Sequence, residues 1–263
     1  MTDDTGSRLV GPAQARDRLR RARGGADHSV RRLRDLLRAA IVRAGTAGRK
    51  LPSEQELMAE YGVSRNTVRG ALGLLRDEGL VARLHGRGTL LLDLPSLMSL
   101  REYNGVADPA TATMLGGVIR SDVVEERTVP APPGLATLLD RSPGEPLLCV
   151  DYVAIVGGEP IAVATDYVRM PESEAVAATP FRSDWFARLA EAGLVAETAE
   201  CLFEAGVADA IDAGLLDLRP GDPVMIAEQV LRDRSGEVFN VALIRSAGRK
   251  MTLHARHRRN ADG

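Results

Sequence analysis

The sequence predicts an α+β protein of two domains. The first is a small unit of short helices closed by a β-hairpin. The second is larger, with helices segregated from long hairpins in a mostly antiparallel sheet. Three observations predict this. The 263 residues exceed one average domain, and 44% hydrophobic content suffices for two ordinary cores. Apolar residues recur at helical spacing over residues 29–78 and give strand patterns with short helices from Gly116 onward. Charge divides the same way. Residues 1–92 hold 18 Arg and Lys against 10 Asp and Glu, a balance of +8, while residues 93–263 hold 16 against 26. A basic end joined to an acidic remainder is expected where one end meets a polyanion.

Composition excludes several classes. No apolar run approaches the ~18 residues of a membrane helix, and the N-terminal stretch has no apolar signal core. The expectation is a cytoplasmic protein that contacts no membrane. Cys149 and Cys201 are two distant cysteines in apolar, strand-like runs, so they read as small core residues. No Cys or His cluster has metal spacing, and no metal or cofactor is expected. Aromatic residues make up only 3%, which leaves Leu, Val, Ile and Ala to build the cores.

Residues 1–28 mix Arg, Gly, Ala and Asp without steady periodicity and read as a flexible basic arm. Residues 29–44 place Val30, Leu33, Leu37, Ile41 and Ala44 on one helical face, with Ser29 as the expected N-cap. The segment LPSEQELMAEYG follows. Ser53 and Glu56 form a capping-box pattern after Pro52, and Gly62 suits a helix end at positive φ. Ser64 then caps a second helix, SRNTVRGALGLLRDEG, with Val68, Leu72 and Leu75 inward and Gly79 at its end. Two short helices about a tight glycine-containing turn are a helix-turn-helix pattern. Ser64, Arg65, Asn66, Thr67 and Arg69 occupy the N-terminal end and an outer face of the second helix. Arg and Asn donate in pairs to guanine and adenine edges in the major groove. Ser and Thr hydroxyls suit phosphates, which a helix N-terminus also attracts. LVARLHGRGTLLL reads as two strands about His85, Gly86, Arg87 and Gly88, a slim hairpin tip suited to the narrow minor groove.

The run from Leu51 to Thr89 resembles the winged helix-turn-helix of the GntR family of bacterial transcription regulators, over roughly residues 29–92. The resemblance implies DNA contacts at Ser53, Gln55, Ser64, Arg65, Asn66, Thr67, Arg69, His85, Gly86 and Arg87. Family members often carry Arg or Lys where this chain has Gln55, so one cationic contact is missing.

Residues 93–112 contain Pro95, Gly105 and Pro109 and read as a linker before a domain at 113–260. In that domain the expected order is a strand over GGVIRSDVVEERTVPAP, a short helix after Pro133, and two long strands about the turn Gly157-Gly158-Glu159. Next come a helix in FRSDWFARLAEAG, a strand in VAETAECLFEAGV and a helix in ADAIDAGLLDLRPGD. A hairpin about Ser235-Gly236 and a last strand in RKMTLHARHR complete it. The stretches GEPIAVATDYV and LLDLRPGDPVMIAEQVLRDRSGEVFNVA, with Gly248, resemble the effector-binding UTRA domain of the HutC subgroup, a chorismate-lyase-like fold. The resemblance covers about residues 113–258 and implies a cleft for a small effector and a homodimer interface. Relatives that sense phosphosugars often carry an Arg-x-Arg pair where this chain has Tyr152 and Ala154, and a Glu at Ala164. Cationic forks bind phosphate and carboxylate. Their replacement predicts a more apolar or neutral effector, with Tyr152, Asp166, Tyr167, Asn240 and Arg245 as lining candidates.

Together these readings predict a homodimeric repressor at the nucleoid, released from a palindromic DNA operator by a small molecule. Two other classes follow from the same residues. One is a constitutive repressor with a vestigial pocket. The other is a lyase-like enzyme, which the four histidines and absent nucleophile motifs disfavour.

Overall fold

The computed structural model describes residues 26–44, 49–84, 86–92, 96–99, 103 and 119–255. The chain divides into two units, residues 1–94 and 95–263. Most of the expected arm lies outside the described residues. Its last three residues are helical, because helix α1 spans Ala26–Ala44. Ser29 is therefore inside the helix rather than its cap.

In the first unit, α1 buries Leu33, Leu37 and Ile41 along one stripe. Helices α2 (Glu54–Tyr61) and α3 (Arg65–Asp77) complete a three-helix core. Leu57 of α2 and Val68, Ala71 and Leu75 of α3 meet the α1 stripe, with Leu80, Val81 and Leu91 closing the bottom. Each such Leu, Ile or Val stabilises the fold by roughly 1.5–3 kcal/mol. Gly70 allows α3 to approach α1, since a Cβ there would lie 3.0 Å from the Val30 methyls. Gly62 ends α2 at φ 62° and donates its N–H to the Met58 carbonyl. Strands β1 (Val81–Leu84) and β2 (Gly88–Leu91) form the antiparallel wing.

The second unit is built on a six-stranded antiparallel sheet. Its strands are β4 (Ile119–Pro130), β5 (Pro146–Val156), β6 (Glu159–Arg169), β7 (Thr198–Val207), β8 (Pro223–Arg232) and β9 (Val238–Ala247). The order β4-β5-β6-β9-β8-β7 is two three-stranded meanders joined where β6 pairs with β9. Gly157 and Gly158 make the β5–β6 turn at φ 60° and 89°, the left-handed pair that a two-residue hairpin needs. Helices α4 (Pro133–Leu138), α5 (Glu172–Ala178), α6 (Trp185–Glu191) and α7 (Ala210–Leu216) sit in the connections. α5 went unread in the sequence, because PESEAVAA is short and its apolar face is only Val176.

The expected linker needs correction. Ser96–Ser99 form strand β3, which pairs in parallel with β10 (Met251–His254). Tyr103 is buried in the core of the second unit. Short strands whose partner lies far along the chain leave no local period to read.

Candidate nucleic-acid interface and effector cavity

Local chemistry builds the first site. Ser53 N–H donates to Glu56 Oε2 at 2.7 Å, and Glu56 N–H donates to Ser53 Oγ at 3.2 Å. The bonds hold the Glu56 carboxyl below its usual range and complete the reciprocal box that starts α2. Gln55 is exposed on the first turn. At α3, Ser64 Oγ accepts from Thr67 N–H at 3.2 Å. Ser64, Arg65, Asn66 and Arg69 are exposed. Thr67 is different. It is only 9% exposed, and its hydroxyl is bonded to Ser64 Oγ at 2.9 Å. The residue read as an outward hydroxyl thus locks the cap.

Sequence reading missed a second feature beside α3. Asn66, Arg69, Gly70, Gly73, Arg76 and Arg83 border a groove of about 440 Å³ between α3 and the wing. Arg69 and Arg76 are two turns apart on one helix face, and Gly70 and Gly73 leave that face low. The ion pairs described in this unit engage Arg34 and Arg38, both with Glu78. They leave Arg65, Arg69, Arg76 and Arg83 without a carboxylate among the described residues. The wing tip exposes Gly86 and Arg87. Gly86 (φ 73°) makes the reversal, and Arg87 N–H donates to the Leu84 carbonyl at 3.1 Å. His85 lies outside the described residues. Residues 49–51 add an edge to the wing. Leu51 N–H donates to the Thr89 carbonyl and Leu91 N–H to that of Arg49, both at 2.9 Å, which leaves Arg49 and Lys50 exposed beside the hairpin.

The second site lies on the face of the large sheet that α6 covers. A cavity of about 70 Å³ is lined by Tyr103, Ser121, Tyr152, Ala154, Ala164, Asp184, Trp185, Gln229 and apolar neighbours. Tyr152 and Trp185 stack with ring centroids 5.8 Å apart. The Tyr103 hydroxyl, Ser121 Oγ and Trp185 Nε1 are buried without a hydrogen-bond partner, so the lining carries unspent polar groups. Asp166 stands two residues beyond Ala164 on the same face of β6 and is fully buried. Burial pushes its carboxyl up to about 7, against a smaller opposing pull from Asn240, Tyr152 and Trp185. These three approach the carboxyl, yet neither oxygen has a partner of hydrogen-bond geometry. Asn240 Nδ2 donates instead to the Tyr167 carbonyl at 3.2 Å. Gln229 pins the cavity's far wall by donating to the Tyr103 carbonyl at 3.1 Å.

Two of the five expected lining residues are elsewhere. Tyr167 follows Asp166 directly, so strand alternation turns it to the other face, where it packs with Leu147 and Val241. Arg245 is likewise out of phase with Asn240 and pairs with Asp212 of α7 at 3.3 Å. Tyr152 lines the cavity, whereas Asp166 and Asn240 are fully buried outside its lining, with the Asp166 carboxyl beside Tyr152. Sequence reading missed Tyr103, Ser121, Trp185 and Phe186. One signal was available. The chain has nine aromatic residues, and four of them line this cavity.

The model of bacterial regulatory proteins of the gntR family matches residues 29–91, and the UTRA domain model matches residues 114–252. The second alone covers more than half of the chain. The chain belongs to the GntR family. An uncharacterised HTH-type transcriptional regulator of Rhizobium meliloti is 30% identical over 85% of this chain and 92% of its own. The histidine utilization repressor of Pseudomonas aeruginosa is 28% identical over 72% of this chain and 74% of its own. The crystal structure of PhnF from Mycobacterium smegmatis shares the fold, with a TM-score of 0.61 over 85% of this chain and 99% of that one, at 22% identity. The protein is thus a transcriptional regulator of the GntR/HutC type. It carries a DNA-binding helix-turn-helix and an effector-binding UTRA domain, and these modules are regulatory rather than catalytic. Among the described residues, no helix is long and apolar enough to cross a membrane.

Proposed function

We propose that this regulator is a cytoplasmic homodimeric repressor that covers a palindromic operator until a small effector releases it. The observation that carries the reading is the capped end of α3. Ser64, Arg65 and Asn66 stand exposed at a positive helix terminus, beside groove arginines that form no ion pair among the described residues, with Glu54 the one carboxylate in the described groove lining. In this reading Arg65, Asn66 and Arg69 meet base edges in the major groove. Ser53, Gln55, Ser64 and the groove arginines Arg76 and Arg83 meet phosphates, and Gly86 and Arg87 enter the minor groove. Thr67 acts through the cap. Two protomers read two half-sites because protein two-fold symmetry is matched by a palindrome.

The effector occupies the cavity beside Tyr152 and Trp185. Tyr152 and Ala154 in its lining supply no cationic fork, which supports a ligand without phosphate. Binding favours one dimer geometry and lowers operator affinity by that difference alone. The test is selection of genomic DNA fragments by the purified protein at near-physiological salt, followed by footprinting. A short palindrome protected over two half-sites is the expected result. Uniform binding without a motif would overturn the operator reading. Release by no compound of a broad metabolite panel would leave a constitutive DNA binder.

A further inference from the structure

We propose that the cavity of the UTRA unit takes a small organic cation: an ammonium on a short apolar body, held by the Tyr152 and Trp185 rings and compensated by the Asp166 carboxylate. The proposal rests on the effector reading above and names its ligand class.

Four observations converge. The lining is mainly apolar and aromatic, and none of its described residues is Lys or Arg. Anionic ligands therefore meet no charge of opposite sign there, whereas ammonium ions are attracted to aromatic faces within about 6 Å. Asp166 is a fully buried carboxyl that Asn240, Tyr152 and Trp185 approach, yet neither oxygen has a partner of full hydrogen-bond geometry and no cation pairs with it among the described residues. An uncompensated buried charge is costly, so a carboxyl kept in this place favours a ligand that supplies the missing positive charge. Asp166 is in register behind the cavity, sharing the β6 face with the lining residues Ala162 and Ala164. The cation packed against the Trp185 ring is already engaged. Arg188 of α6 lies 5.9 Å from the Trp185 ring and is paired with Glu126 at 2.8 Å. It does not neutralise Asp166.

The surroundings also set the pH behaviour. The titratable groups that act on Asp166 are Tyr152 of β5, Tyr103, and Asp151 from the other face of β5, while Asp184, which precedes α6, acts on Tyr152. Both tyrosines are pushed above their usual range and stay neutral. Asp151 is paired with Arg127, whereas Asp184 lines the cavity and adds negative charge there. An ammonium ligand binds the ionised form of Asp166. Its affinity therefore rises as that carboxyl loses its proton.

The experiment uses the full-length protein, alone and on its selected operator. Butyl and phenethyl compounds are compared as amine, alcohol and carboxylate of equal length, by calorimetry and by DNA release. The amines are expected to bind and release DNA, with the alcohols at least tenfold weaker and the carboxylates inactive. Asp166→Asn removes the amine preference, bringing amine and alcohol of equal length to similar affinity. Amine affinity of the unmutated protein rises about tenfold from pH 6 to pH 8, as a carboxyl titrating near 7 requires, and alcohol affinity does not. This second reading needs no variant. Equal amine binding by Asp166→Asn, or a flat pH profile, would overturn the proposal. Release by a carboxylate or a sugar phosphate would also overturn it while sustaining the effector reading. If no compound of any class releases the operator, both fall together.

Discussion

At the scale of the residue, three side chains carry separable expectations. Arg65 is exposed on the first turn of α3 and is free of carboxylate partners. Arg65→Ala is expected to cost about 1–3 kcal/mol at one base position and little elsewhere, as read by binding to operators varied one base pair at a time. Equal loss on every sequence would make Arg65 a phosphate contact. Asp166 bears on stability. The folded chain keeps its proton up to about pH 7, whereas the unfolded chain releases it near 3.8. Between those values the folded state binds more protons, so stability from this group falls as pH rises. The loss is about 4 kcal/mol. Asp166→Asn should therefore raise the melting temperature at pH 8 and flatten its dependence between pH 4 and 7. Gly248 meets the backbone directly. A Cβ there would lie 2.8 Å from the Pro223 carbonyl oxygen, which already accepts the Gly248 N–H at 3.0 Å. Backbone cannot swing aside as a side-chain tip does. Gly248→Ala is expected to destabilise by about 1–3 kcal/mol in denaturant unfolding, with secondary structure intact.

At the scale of the element, the reading helix depends on its caps. Ser64→Ala removes the acceptor of the Thr67 N–H and the partner of the Thr67 hydroxyl, and should destabilise by about 1 kcal/mol. It should also weaken DNA binding. Ser53→Ala breaks the α2 box and removes one proposed phosphate contact without touching the reading helix, and its DNA defect should be smaller when the two variants are compared at equal folded fraction. These caps were legible in the sequence because capping is local: a Ser and its partner three residues on are enough. The face of each strand was less legible. Asp166 and Tyr167 were placed together as cleft residues, although adjacent strand residues point apart. Arg245 was grouped with Asn240 against the same rule of phase. Period-two reading needs a fixed starting face, and strands buried on both sides, such as β5 and β9, supply no polar face to set it.

At the scale of the whole molecule, charge and topology divide the labour. The basic reader should lose affinity steeply with salt. With six to ten phosphates neutralised per dimer, the loss is about 10³–10⁵-fold between 50 and 200 mM. A filter-binding series checks this, and a shallow slope would contradict the phosphate roles given to Arg76 and Arg83. The division into a helical unit and a sheet unit was legible from the change of period and of charge. Tyr103 and β3 were not, because their partners, Gln229 and β10, lie at the far end of the second unit. That parallel pairing orders events at the ribosome. Every contact of the helix-turn-helix core falls between residues 26 and 91 and is complete early in synthesis. β3 waits for Met251–His254 to emerge, and closing so long a loop is slow. A nascent chain thus holds a finished reader before its sensor is finished. Any chain stalled or cut short of β10 is expected to bind DNA while deaf to its effector.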